Sequence, residues 1–147
     1  MKIYVINGPN LNMLGIREPD IYGSTTLTEV ERSIREHCKN IGVLVECFQS
    51  NHEGALVDII QDAFHKNADG IVINPAAYTH TSIAILDALK STDLPFVEIH
   101  ISNPMEREEF RQCSYIRSSA IATVLGKGVG GYVEAVDLLV DYLRGKN

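Results

Sequence analysis

The sequence predicts a single doubly wound α/β domain built on a parallel five-stranded sheet, and three observations predict it. Short apolar, β-branched runs alternate five times with segments of helical period. The joints between them carry Asn, Gly, Pro and Ser, the residues that turn chains. No repeat, linker or low-complexity stretch interrupts the alternation, so the 147 residues make one domain, 1–147, with room for a sizeable core.

Lys2 to Asn7 is apolar and β-branched, as a buried parallel strand should be. The stretch from Ile6 to Gly23 holds two prolines, three glycines and three asparagines in eighteen residues, a content that forbids a helix or a central strand. It still keeps Leu11, Met13, Leu14 and Ile16, which predicts a lid loop, about residues 8–25, folded onto something apolar. Thr26 and Glu29 have capping-box spacing. They open a helix whose inner face is Leu27, Val30, Ile34, Cys38 and Ile41, ended by Gly42.

Val43 to Phe48 forms the second strand, and the polar turn Gln49 to Gly54 leads into a helix from about Ala55 to Asn67. Leu56, Ile59, Ile60, Ala63 and Phe64 point inward. Strand three runs from Ile71 to Asn74 and is stopped by Pro75; residues 79–82 open a helix to about Lys90. Phe96 to His100 is strand four. Ser102 to Arg111 reads as a second functional loop with one helical turn, Ala120 to Leu125 as strand five, Gly126 to Gly131 as a tight turn, and Tyr132 to Leu143 as the closing helix.

Such a chain predicts a flavodoxin-like order, 2-1-3-4-5, with helices on both faces in three layers. Ligands in these sheets bind outside the carboxyl ends of the strands, near the switch point between strands one and three. The residues there are Asn7 and Asn10, then Asn74, then His100 and Ser102.

The bulk chemistry narrows the partners. Thirteen basic and nineteen acidic side chains give a formal charge of -6, and no run of Lys or Arg stands out, which argues against nucleic acid and anionic membranes. An anionic small ligand would have to be met by placed cations: Arg17, Arg107, Arg111 and the histidines are the candidates. Cys38, Cys47 and Cys113 are odd in number and form no C-x-x-C, as expected of reduced thiols in a cytoplasmic protein. Met1 runs straight into a strand, which reads neither as a signal peptide nor as a membrane span.

The strand ends then test candidate chemistries. A phosphoacceptor receiver needs carboxylates after strands one and three to hold a divalent cation, and this chain has Asn7 and Asn74. A flavin carrier needs a hydroxyl- and glycine-rich cradle where Asn7-Gly8-Pro9-Asn10 stands. The glycines at 126–131 lack both nucleotide fingerprints. His52, His80 and His100 do not have metal-ligand spacing, so neither metal nor cofactor is expected.

What remains is a set of amides, hydroxyls, imidazoles, arginines and a phenol, suited to proton abstraction beside a carbonyl and loss of a leaving group. Tyr22 ordinarily titrates near ~10, but a neighbouring Arg17 under a closed lid would favour its phenolate. Asparagine amides could stabilise an enolate, and His100 could protonate a departing hydroxyl. Glu98, two residues earlier on the same strand face, is placed to orient that imidazole.

Each residue has a plainer reading. Tyr22 could pack, Arg17 could be a solvated charge, His100 a satisfied rim histidine, Arg111 a partner of Glu108 or Asp93, and His80 a helix cap. The competing class is a non-catalytic flavodoxin-like module that binds a small molecule.

With the lid, Asn-Pro-Ala-Ala-Tyr-Thr-His-Thr-Ser (74–82), Val-Glu-Ile-His-Ile-Ser-Asn (97–103), Arg-Glu-Glu-Phe-Arg (107–111) and Phe-Gln-Ser-Asn-His-Glu-Gly (48–54) in view, the sequence resembles the type II 3-dehydroquinate dehydratases from end to end. The resemblance implies a cofactor-free hydro-lyase of the shikimate pathway acting on 3-dehydroquinate, assembled as a homo-dodecamer of trimers. It implies Tyr22 as the base at C2, Arg17 as the residue keeping it ionised, Asn10 as holder of the water at the enolate, and His100 as the acid, with Glu98 behind it. It further implies a carboxylate pocket of Asn74, the N–H of Ile101 and Ser102, ring-hydroxyl contacts from His80 and Arg111, and Asp87 reaching in from a neighbouring subunit. Ala76-Ala77 departs from the family pattern, which usually has at least one glycine there.

Overall fold

The computed structural model describes residues 1–16 and 18–145, with the side chain of Tyr22 also outside that description. Five strands, β1 (Lys2–Asn7), β2 (Leu44–Gln49), β3 (Gly70–Asn74), β4 (Phe96–His100) and β5 (Ala122–Leu125), form one parallel sheet in the order β2-β1-β3-β4-β5. The helices are α1 (Pro19–Tyr22), α2 (Leu27–Asn40), α3 (Glu53–His65), α4 (Ile83–Thr92) and α5 (Gly131–Gly145).

The alternation of side chains along each strand splits the core in two. On one face Ile3, Val5, Val72, Val97 and Ile99 meet Val30, Ile34 and Cys38 of α2 and Tyr132, Ala135, Val136, Leu139 and Val140 of α5. On the other, Tyr4, Ile6, Ile71, Ile73 and Phe96 meet Leu56, Ile60 and Ala63 of α3 and Ile85, Ala88 and Leu89 of α4. The doubly wound fold and its strand order are therefore as the sequence predicts.

The element ends have identifiable causes. Thr26 Oγ1 accepts from the Glu29 N–H while Glu29 accepts from the Thr26 N–H, the reciprocal cap expected for α2, and Gly42 past its end takes φ 73°. Ser82, whose Oγ accepts from the Ile85 N–H, is the cap of α4; residues 79 and 80 instead end a 3-10 turn, Ala76–His80.

The lid departs from expectation in that it is not free of helix: Leu11–Met13 is a 3-10 turn and Pro19–Tyr22 a single α turn. Pro19 occupies the first helical position, where a missing N–H costs nothing. Of the four apolar lid residues expected to fold inward, Leu11 and Leu14 are buried, whereas Met13 and Ile16 are exposed. Phe64, expected inward on α3, is exposed as well. β5 begins two residues later than its apolar run because Arg117–Ser119 forms a 3-10 turn before it.

Candidate active site

Pairing in register brings the ends of β1 and β3 together, with Asn7 opposite Asn74. Beyond them the chain crosses itself closely: the Gly8 N–H donates to the Asn74 carbonyl at 2.8 Å, and a Cβ on Gly8 would lie 2.4 Å from the Pro75 oxygen. Only glycine fits. β4 ends nearby, and the three strand ends with the lid base enclose a cleft of about 240 Å³. That is small even against the roughly 300–1,000 Å³ of drug-sized sites, and suits a single-ring ligand.

Asn10, Asn74, His80, His100, Ile101, Ser102 and Arg111 all line this cleft, with Leu11, Met13, Leu14, Ala76, Ala77, Pro104 and Arg107. Arg107, considered from the sequence only as an available cation, thus stands beside Arg111. Among the described residues no carboxylate lines the cleft. Two guanidiniums and two imidazoles therefore face a ligand in a protein whose net charge is -6. Arg111 also pairs with Glu108 (Nε to Oε2, 2.8 Å), the plainer reading of that residue, without leaving the cleft.

Glu98 stands directly behind His100. His100 Nε2 is 2.6 Å from Glu98 Oε1, both side chains are buried, and the ring's Nδ1 is the nitrogen left for a ligand. The same Oε1 accepts from Ser114 Oγ at 2.9 Å and from an Arg117 Nη2 at 3.3 Å. Burial pushes the Glu98 carboxyl up, but the His100 hydrogen bond, the charges of His100 and Arg117, and Ser114 outweigh it and hold Glu98 below the usual range. Sequence spacing pointed to the Glu98–His100 pair but gave no sign of Ser114 and Arg117, which reach it across a long loop.

His80 is fixed in a similar way. Its Nδ1 lies 2.6 Å from the Cys113 carbonyl, which can only accept, so Nδ1 carries the proton and Nε2 is left for the cleft. Asn10 has φ 68° and its N–H donates to Asn51 Oδ1 at 3.0 Å; Gln49 Nε2 donates to the same oxygen and to the Gly8 carbonyl. Gln49 and Asn51, read from sequence only as polar turn material, anchor the lid's base.

Asn74 is held from behind by α5. Tyr132 OH accepts from Asn74 Nδ2 at 3.0 Å and donates to Asn7 Oδ1 at 2.6 Å, deep in the core, while Asn74 Oδ1 accepts from the Ala76 N–H. Tyr132 was expected only to open the closing helix. The turn after β5 supports the other wall: the Gly126 N–H donates to the His100 and Ser102 carbonyls, and the Gly128 N–H to that of Ile101. Both glycines have positive φ, and a Cβ on Gly126 would crowd Asn103 at 3.1 Å.

Two expected site groups, Arg17 and the Tyr22 side chain, lie outside the described residues. Asp87 is not among the cleft residues; it faces a shallow groove between α3 and α4 with Val57, Gln61, Ala84 and Ser91. Among the described residues no group of three or more His, Cys, Asp or Glu is placed to hold a metal ion, and no helix is long and apolar enough to cross a membrane.

The family model described as Dehydroquinase class II matches residues 1–140. The chain belongs to the class II dehydroquinases. This dehydroquinase is 57% identical to the catabolic 3-dehydroquinase of Aspergillus oryzae, over 92% of this chain and 88% of that protein. It is 55% identical to the 3-dehydroquinate dehydratase of Endomicrobium trichonymphae, over 97% of this chain and 99% of that one. Its fold matches the crystal structure of the type II dehydroquinase from Butyrivibrio crossotus with a TM-score of 0.94 and 52% identity, over 95% of this chain and 97% of that one. The enzyme is a hydro-lyase.

Proposed function

We propose that this dehydroquinase removes water from 3-dehydroquinate in an anti sense, through an enolate, to give 3-dehydroshikimate. The observation that carries the reading is the cleft's charge: His80, His100, Arg107 and Arg111 converge where no described carboxylate lines the wall, which favours a small carboxylic acid.

Tyr22, kept ionised by Arg17, takes the proton from C2, and the electron pair moves onto the neighbouring ketone oxygen. A water held by Asn10 steadies that oxygen. The enolate re-forms the ketone as the C1 hydroxyl leaves, taking a proton from His100 Nδ1 while Glu98 balances the imidazolium. Asn74, Ser102 and the N–H of Ile101 bind the substrate carboxylate, and His80 and Arg111 hold the ring hydroxyls.

Asp87 acts from a neighbouring subunit in a dodecamer built of trimers, consistent with its place outside its own chain's cleft. The reaction needs neither metal nor cofactor and serves the shikimate pathway in the cytoplasm. Mixing the protein with 3-dehydroquinate in the presence of a chelator tests the reading. The conjugated enone absorbance of the product should grow at the chelator-free rate; no absorbance, or absorbance lost with the chelator, would contradict it.

A further inference from the structure

Three donors converge on one oxygen of the buried Glu98, and only one of them, His100, faces the cleft. Glu98 Oε2 and Arg117 Nε are both buried and have no hydrogen-bond partner. The guanidinium therefore grips the carboxylate end-on through a single nitrogen rather than as a two-pronged fork. Ser114 locks this arrangement, since its Oγ donates to Glu98 and accepts from the backbone N–H of Arg117 at 3.2 Å. Arg117 opens a 3-10 turn, and its Nη1 rests 3.9 Å from Met105 Sδ, on the loop that walls the cleft.

We propose that Arg117 is a positioning residue for the dehydration, holding Glu98 in the rotamer that meets His100 Nε2 and sharing the negative charge that His100 would otherwise have to itself. The inference rests on the reading of His100 as the acid. Among the described residues, the charged or titratable groups around the pair are His80, Arg107 and Arg111 on the cleft side, the two arginines held in turn by Glu108, and Arg117 behind; the paired strand neighbours, Ile73, Thr123 and Leu125, carry no charge. Glu98 is thus the anion in contact with His100, and Arg117 the cation that shares its oxygen. Without Arg117 the whole carboxylate charge would favour the imidazolium, and His100 would release its proton less readily.

The test is kcat against pH for Arg117→Met, Arg117→Lys, Glu98→Gln and the Arg117→Met/Glu98→Gln pair. Arg117→Met should move the alkaline limb of kcat upward by about half a unit to one unit. It should also lower kcat near neutrality about 3–10-fold with KM little changed, since the loss falls on the transition state. Arg117→Lys should return the limb to its wild-type place. The double variant should lose no more than Glu98→Gln alone, because both changes cut the same link.

A folded Arg117→Met with an unmoved limb, or losses that multiply in the double variant, would overturn the proposal. If Arg117→Met does not fold, Arg117→Gln against Arg117→Lys makes the same comparison. Turnover retained in His100→Ala would remove the acid reading and the proposal together. Turnover lost in His100→Ala with an unmoved limb in Arg117→Met would remove the proposal alone.

Discussion

Glu98 and His100 sit two residues apart on β4, and the strand's pleat brings Oε1 and Nε2 to 2.6 Å with both groups buried. A buried carboxylate is tolerable only because three donors meet it. The same bonds hold its pKa below the ordinary glutamate value.

A depressed carboxyl stabilises the fold fully at pH above the usual glutamate range, about 4.3, and loses that contribution as pH falls through the lowered value. The urea midpoint of the wild type should therefore drop on acidification below about pH 5. In Glu98→Gln the drop should be shallower from a lower starting point. Parallel slopes in the two proteins would show that Glu98 is not an acid-labile support.

Tyr132 OH bridges Asn7 and Asn74, so Tyr132→Phe leaves two buried amide groups unpaired on that side. At roughly 1–3 kcal/mol for each orphaned group, a loss of about 2–6 kcal/mol is expected in urea unfolding. A higher KM should accompany it as Asn74 loosens. A loss below about 0.5 kcal/mol would mean that the amides find other partners.

Ala76 sits at φ 52° in the cleft wall, a left-handed position that costs a non-glycine residue roughly 1–2 kcal/mol. Glycine there relieves the strain and gives back roughly 0.5–1 kcal/mol in chain entropy. Ala76→Gly should therefore stabilise the protein by about 0.5 kcal/mol, read from the urea midpoint at constant m-value. Destabilisation would mean that the alanine methyl packs well enough to offset its backbone.

Tyr22→Phe should keep the far-UV spectrum and lower kcat by about 10²–10⁴-fold, the usual worth of a positioned base, and Arg17→Ala should follow in kcat. Near-wild-type turnover in Tyr22→Phe would assign the base elsewhere.

Much of this was legible before the structure because parallel strands announce themselves. Lys2–Asn7 and Phe96–His100 are bounded by their own composition, and strand ends in a doubly wound sheet point to one place. Glu98 and His100 were found by a period of two. Arg117, Ser114 and Tyr132 were not, because they reach the site across sixteen to 125 residues of chain, where no spacing rule applies. The single turn at Pro19–Tyr22 was hidden by a proline that usually breaks helices but at a first position starts them. Phe64 shows the same limit: the helical period of α3 assigned it inward, yet the position lies past the edge of the face that meets the sheet.

The most direct measurement of the central claim is the rate of enone formation from 3-dehydroquinate by His100→Ala against wild type, at saturating substrate. If His100, backed by Glu98, supplies the proton to the departing hydroxyl, kcat falls by about 10²-fold or more while KM stays within a few-fold. A His100→Ala enzyme that turns over at the wild-type rate would contradict the account.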